Sequence, residues 1–419
     1  MKKLFALGAA AVLAFGLASC GEEGQEINLV YSGTESDKVF NEGLLEEFKA
    51  QMAKDGDPNT YNISYVGHGP DKVDSEILDW AEKGKAPDVY EFASDKIAGL
   101  YSKGALARVT GANAKFIDDE MNAFGQACAT FGDSYYAYPY TGDNTYYLQY
   151  DKSIISAEDA KDMKKLMDVA HSKGYKVGYN LGTGFWGAAA MFTFGADYSI
   201  EFTEDGTISD IKADFNGPKG LKAAKAILEI VNHPAFEDTS GVPATGAKIA
   251  AVIGGTWDIY TYNPEKDEHG GFKTLWGDNY ACAVMPTVTV DGETKNLGAF
   301  LGGKLLGINP QVSQGNPAQL QAAHKLARFL SGEYCQLQRF EKNNVAPCHL
   351  KAAQNEKVLA SPNVAVLSAQ GAFAHAQTSV PEGVWSAPSV LITAMKEGKC
   401  TAENLQTWID EYNATVTAK

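Results

Sequence analysis

From Ile27 to Ser32 the chain reads Ile-Asn-Leu-Val-Tyr-Ser, with apolar and polar positions exchanging at almost every step, the period of a half-buried strand. At Phe40 the period lengthens. Phe40, Leu44, Leu45, Phe48 and Met52 recur every three or four residues, after a Thr34-Glu-Ser-Asp37 capping-box pattern, and predict a helix. The exchange then repeats. Residues 61–66 read as a strand, 72–83 as a helix carrying Val73, Ile77, Trp80 and Ala81, 87–92 as a strand, and a further helix runs through Tyr101.

The turn-forming residues Tyr140-Thr-Gly-Asp-Asn144 interrupt the pattern, which restarts with a helix at 161–173, a strand at 176–181, a helix at 185–194 and a hairpin at 200–217. Pro218 opens a helix with Leu221, Ala224, Leu228 and Val231 on one face, a first-turn position where its missing N–H costs nothing. Strands at 248–253, 279–285 and 304–309 follow, and helices near 317–343, 388–397 and 402–416 close the chain. Strands alternating with helices predict an α/β fold built on mostly parallel, helix-covered sheets. No repeat and no low-complexity linker interrupts them.

The N-terminus changes the setting. Met1-Lys2-Lys3 precedes the apolar run Leu4–Leu17, 14 residues and too short to span a bilayer comfortably, so the segment reads as an export signal. It ends Leu17-Ala18-Ser19-Cys20-Gly21, a lipobox-like sequence with Cys20 as the lipidated residue and 1–19 as the removed leader. Residues 20–26 then form a short polar tether. The mature protein is expected outside the cell, held at the membrane by lipid alone. Losing Lys2 and Lys3 takes the formal charge from −16 to −18, which repels nucleic acid and favours neutral or cationic solutes. The remaining 400 residues exceed one comfortable core and predict two domains.

Enzyme and metal signatures fail one by one. There is no H-E-x-x-H and no G-x-S-x-G, and Asp55-x-Asp57-x-Asn59 starts like a calcium loop but carries Thr60 where Gly is needed and Val66 where Glu should close it. No cofactor and no metal are expected. Five cysteines follow Cys20, an odd number, with Cys335 and Cys348 the one sequence-near pair that could bridge. Leu181-Gly-Thr-Gly-Phe-Trp-Gly187 contains a literal G-x-G-x-x-G. An exported chain meets little NAD, so the stretch is read as a strand-to-helix turn whose glycines bring backbone close to a cleft.

What does recur is an aromatic residue beside a small polar or acidic one at a strand end. The instances are Phe92 with Asp95 and Lys96, Tyr140 with Asp143 and Asn144, the Phe185-Trp186 pair, Trp257 with Asp258 and Tyr260, and Trp385. Ligands of open α/β sheets bind beyond such ends. A pyranose stacks its C–H face on a ring while its hydroxyls need donors and acceptors once dried, so this combination suits a sugar. Taken singly, each ring could equally be packing, and Asp95 or Asp258 could cap a helix.

The order of these stretches resembles the maltose and maltodextrin-binding proteins of the extracellular solute-binding family. "APDVYEFASDKIAGLYSKGALARVT" (86–110), "SYYAYPYTGDNTYYLQYDKSII" (134–155), "GTISDIKADFNGPKGLKAA" (206–224), "AAVIGGTWDIY" (250–260) and "EGVWSAP" (382–388) carry the likeness. The resemblance implies two lobes, 27–141 plus 290–354 and 146–286 plus 358–419, joined by three chain crossings and closing on a ligand by a hinge. It implies Trp257 and Trp385 as stacking platforms, Phe185 or Trp186 as a further one, Asp95 as acceptor, Lys96 as donor, and Asp143 or Asn144 as a polar contact near the hinge. Phe92 stands where the family carries Trp, Asp143 is shorter than the family's Glu, and Gly-Thr-Gly replaces Glu-Pro before Phe185. The expected role is a monomeric, lipid-anchored receptor that hands an oligosaccharide to the permease of an ABC importer. A binding protein for a polyamine or other cationic solute, and a secreted glycosidase, are the alternatives.

Overall fold

The computed structural model describes residues 24–68, 76–77, 79–80, 83, 86–240, 248–255, 276–311 and 316–418. The lipobox with Cys20, most of the helix expected at 72–83, and Trp257, Asp258 and Tyr260 lie outside the described residues.

The opening alternation becomes the strand Glu26–Thr34, which buries Ile27, Leu29 and Tyr31 and pairs in parallel with Thr60–His68 on one side and Val89–Ala93 on the other. Helix Lys38–Lys54 covers this sheet with Leu44, Leu45 and Phe48, as its spacing requires. Phe48 meets Tyr61 edge-on at 5.1 Å and Phe329, on helix Pro317–Ser331, at 5.5 Å. In the other half, Lys176–Tyr179 pairs in parallel with Phe236–Glu237 and Ile249–Gly255. Helices Met163–Ser172, Gly184–Met191, Pro218–Asn232, Glu382–Lys396 and Leu405–Val416 supply its core. Each half is thus a parallel sheet with its own helical cover, the two-lobed α/β architecture expected.

The centre of the sheet is antiparallel. Strand Tyr138–Asp151 pairs antiparallel with Phe300–Ile308 through its first part and with Ile249–Gly255 and Tyr280–Ala283 through its second, joining both halves into one ladder. Parallel neighbours need a long crossover between them, whereas a chain that leaves one half and later returns beside itself runs the opposite way. The residues Tyr140–Asn144, read as a turn, are therefore extended. Their irregularity survives as register shifts opposite Gly302–Leu305, on a strand that is itself held on its other side by Val89–Ala93.

Two further elements differ from expectation. The helix anticipated over 317–343 is two, Pro317–Ser331 and Glu333–Asn343, because Gly332 between them is extended. The late helix starts at Glu382 rather than at Pro388, so Pro388 lies inside it. The hairpin Thr287–Val290/Glu293–Asn296, together with Leu297 and Phe300, packs with the second core, and the chain rejoins the first half's cores at Leu305 and Leu306. Cys335 and Cys348 are free thiols, as are Cys128, Cys282 and Cys400.

Candidate functional site

Two of the residues expected to touch ligand are interior. Phe92 is 2% exposed and tilts against Tyr90, ring centres 5.7 Å apart, in a core it shares with Leu305. Its position on Val89–Ala93 turns the side chain into the lobe rather than out of it. Tyr140 is also buried: its hydroxyl donates to Asn41 Oδ1 at 3.3 Å and lies 3.3 Å from Tyr31 Oη, and the Arg339 guanidinium sits 3.4 Å above its ring. Tyr31 in turn donates to Glu91 at 2.5 Å. This is an internal polar network, closed by cation–π contact.

Asp95 and Asn144 are brought together, through a residue that carried no sequence signal. Asp95 follows Val89–Ala93 in a single 3-10 turn, its side chain 2% exposed, with Lys96 Nζ 3.3 Å from Oδ2. Gln377 Nε2 donates to Asp95 Oδ1 at 2.9 Å, and Asn144 Nδ2 donates to Gln377 Oε1 at 2.6 Å. Burial pushes the Asp95 pKa up, against the charge and hydrogen bond of Lys96 and the hydrogen bond of Gln377. Asp143 lies in the Tyr138–Asp151 strand beside Asn144, its side chain outside the described part of the structure.

Phe185, Trp186 and Trp385 form one aromatic patch with Tyr146 and Phe300. Tyr146 is 5.1 Å from Phe185 and 5.9 Å from Trp186, Phe185 is 6.1 Å from Phe300, and Phe300 is 5.2 Å from Trp385. Gly184 and Gly187 of the strand-to-helix turn make this possible. They bring helix Gly184–Met191 onto helix Glu382–Lys396: a Cβ on Gly184 would lie 2.1 Å from Trp385 O, and one on Gly187 would lie 2.7 Å from Pro388 Cβ. Close approach of the two helices accounts for Gly184 and Gly187.

The polar and aromatic groups meet through the segment around His375. His375–Ala376 adds a short parallel strand to Phe300–Leu301, the imidazole stacks on Phe192 at 3.9 Å, and it lies 5.7 Å from Phe300. Burial holds the His375 pKa below its ordinary value although Asp197, 3.8 Å away, pulls it up. A cavity of about 700 Å³ opens beside it, walled by Tyr101, Phe131 and Tyr136 of one lobe and Tyr198 and Phe202 of the other. Phe131 and Phe202 meet edge-on across it at 5.7 Å. Three buried donors, Trp186 Nε1 and Trp385 Nε1 in the aromatic patch and the Tyr198 hydroxyl at the cavity wall, have no hydrogen-bond partner among the described residues. Gln377, His375 and Tyr198 could not have been found by spacing, since their neighbours come from distant parts of the chain.

A profile of the family described as bacterial extracellular solute-binding protein matches residues 44–366, most of the chain. The chain belongs to that family. This solute-binding protein is 25% identical to the maltodextrin-binding protein MdxE of Bacillus subtilis (strain 168), over 95% of its own length and 94% of the relative's. A solved structure with acarbose superposes with a TM-score of 0.77 at 24% identity, covering 94% of this chain and 99% of the other. The ligand-free maltodextrin-binding protein MalE1 from L. casei BL23 superposes with a TM-score of 0.74 at 18% identity, covering 94% and 99%. Membership makes the solute-binding protein a receptor rather than an enzyme. Among the described residues no group of three or more His, Cys, Asp or Glu side chains could hold a metal, and no helix is long and apolar enough to cross a membrane.

Proposed function

We propose that the protein is a lipid-anchored receptor that binds a neutral oligosaccharide, a maltodextrin-type α-glucan, between its lobes and delivers it to an ABC permease. The observation that carries this reading is the pair of buried indole donors at an aromatic patch that find no partner among the described residues. Trp186 Nε1 and Trp385 Nε1 belong to rings that can stack on a sugar face, and a buried donor left unmade costs about 1–3 kcal/mol. A ligand rich in hydroxyls recovers that cost, and an apolar one does not. The likeness to a maltodextrin-binding relative over nearly the whole chain supports the same class. Asp95 is already compensated by Lys96, an arrangement that suits a neutral hydroxyl better than a second cation. Trp257, Asp258 and Tyr260 complete the proposed site, and Cys20 carries the anchor.

Thermal melting against maltotriose, longer malto-oligosaccharides, cellotriose and spermidine tests the reading. A ligand at 100 times its Kd adds about 2.7 kcal/mol. Malto-oligosaccharides are expected to raise the melting temperature and to be recovered uncut. Stabilisation by spermidine alone transfers the site to a cationic solute, and cleaved glycan makes the protein a glycosidase. Cys20→Ser is expected to release the protein from the membrane fraction.

A further inference from the structure

Gln377 occupies a point where three separate passes of the chain touch. Its backbone N–H donates to Leu301 O at 2.9 Å, and its carbonyl accepts from Ser94 Oγ at 2.7 Å. Its side-chain amide spans Asp95 and Asn144. The residue is 4% exposed, and its amide has no freedom to turn over. A carboxylate only accepts, so Nε2 must face Asp95, and Oε1 must then face the Asn144 NH2 group. On its open side stands Gly302, where a Cβ would lie 2.4 Å from Gln377 Oε1 and 2.9 Å from its Cβ. Only glycine at 302 leaves the amide room.

We infer that Gln377 is a positioning residue for solute binding: it grips Asp95 Oδ1 from within the fold, fixes the plane of that carboxylate, and ties it through Asn144 and Leu301 to the two strands shared by the lobes. The inference rests on the reading of Asp95 as a hydroxyl acceptor. Each carboxylate oxygen has two lone pairs; Gln377 takes one on Oδ1, Lys96 one on Oδ2, and the residue's own backbone N–H bonds the carboxylate as well. The remaining pairs then point in directions set by the protein rather than by rotation of the side chain. A fixed acceptor spares the ligand the entropy of ordering it.

Among the described residues, the charged and titratable groups facing Asp95 are few. Lys96 shares its turn. Tyr198 approaches from the hairpin of the other lobe: burial and Asp197 raise its hydroxyl pKa, and the Asp95 charge adds to them. Asp197 with His375 lies beyond Tyr198. Burial favours the neutral acid at Asp95, and Gln377 opposes it. Removing that donor therefore moves the protonation of Asp95 upward in pH.

Titration calorimetry with maltotriose between pH 4.5 and 8, on wild type, Gln377→Met and Gln377→Glu, tests the role. At pH 7.5 both variants are expected to bind about tenfold more weakly, the effect of losing one hydrogen bond to a charged group. Gln377→Met is expected to weaken further as pH falls, because Asp95 loses its charge earlier. Gln377→Glu is expected to recover, because two facing carboxylates come to share a proton. Variants that match wild type at every pH overturn the inference. So do equal losses in both variants with no dependence on pH, which would mark a merely structural role, with apo melting curves recording any loss of fold. A wild type that binds no malto-oligosaccharide instead overturns the sugar reading, and the inference with it.

Discussion

Gly184 lies under the carbonyl of Trp385, so close that a Cβ would come within 2.1 Å of the oxygen. Alanine at 184 therefore has to push helix Gly184–Met191 off helix Glu382–Lys396, and overpacking of this kind costs about 1–3 kcal/mol. Gly184→Ala is expected to lower the urea midpoint and to weaken glycan binding together, since Phe185 and Trp385 ride on the two displaced helices. Gly43, inside helix Lys38–Lys54 with nothing within 4 Å of its would-be Cβ, is the control. Gly43→Ala is expected to stabilise by about 0.5–1 kcal/mol, the backbone entropy a helical glycine forfeits.

Trp385 and Phe92 should separate binding from packing. Trp385→Phe keeps a ring but removes the Nε1 donor, which has no partner among the described residues, and calorimetry is expected to show a loss of about 1 kcal/mol, roughly fivefold in Kd. Trp385→Ala should lose more. Phe92→Ala, in the closed core beside Tyr90, is expected to cost about 3–5 kcal/mol of stability. At a temperature where that variant is still folded, its affinity should stay near wild type; unchanged binding in both Trp385 variants would remove Trp385 from the site.

Asp57 gives a pH dependence of definite sign. Burial acts to raise its pKa, but hydrogen bonds from Lys325, Tyr61 and the Asn59 backbone outweigh it and hold the carboxyl at about 2, against 3.8 for the free group. The folded value lies below the unfolded one, so the contribution is fully present above about pH 4 and is lost as pH falls toward 2. Asp57→Asn is expected to lower the melting temperature at pH 6 and to narrow its gap to wild type as pH drops through that window. A gap that stays constant across the window would contradict the assignment.

Legibility in the sequence followed the range of the forces involved. The Ile27–Ser32 alternation and the Phe40–Met52 spacing report on which face is buried, and the structure places both elements within a few residues of expectation. Tyr140–Asn144 misleads because turn propensity is local, whereas its extended form is imposed by the strand Phe300–Ile308, more than a hundred residues away. In the candidate site, the proximity of Phe185 to Trp186 was visible in the chain, but their meeting with Trp385 depends on a glycine contact between two helices. Gln377 was invisible because a lone glutamine has no pattern. Its meaning comes from Asp95 and Asn144, 282 and 233 residues away.

The ladder through Tyr138–Asp151 has a practical consequence for anyone who would cut this protein in two. Because one strand is hydrogen-bonded to Phe300–Ile308 along its first part and to Ile249–Gly255 along its second, no seam separates the halves, and a fragment ending near residue 145 would expose a raw sheet edge. Dissection should yield aggregates rather than two autonomous pieces, whereas insertion at an exposed hairpin tip such as Asp291–Gly292 leaves that shared backbone untouched.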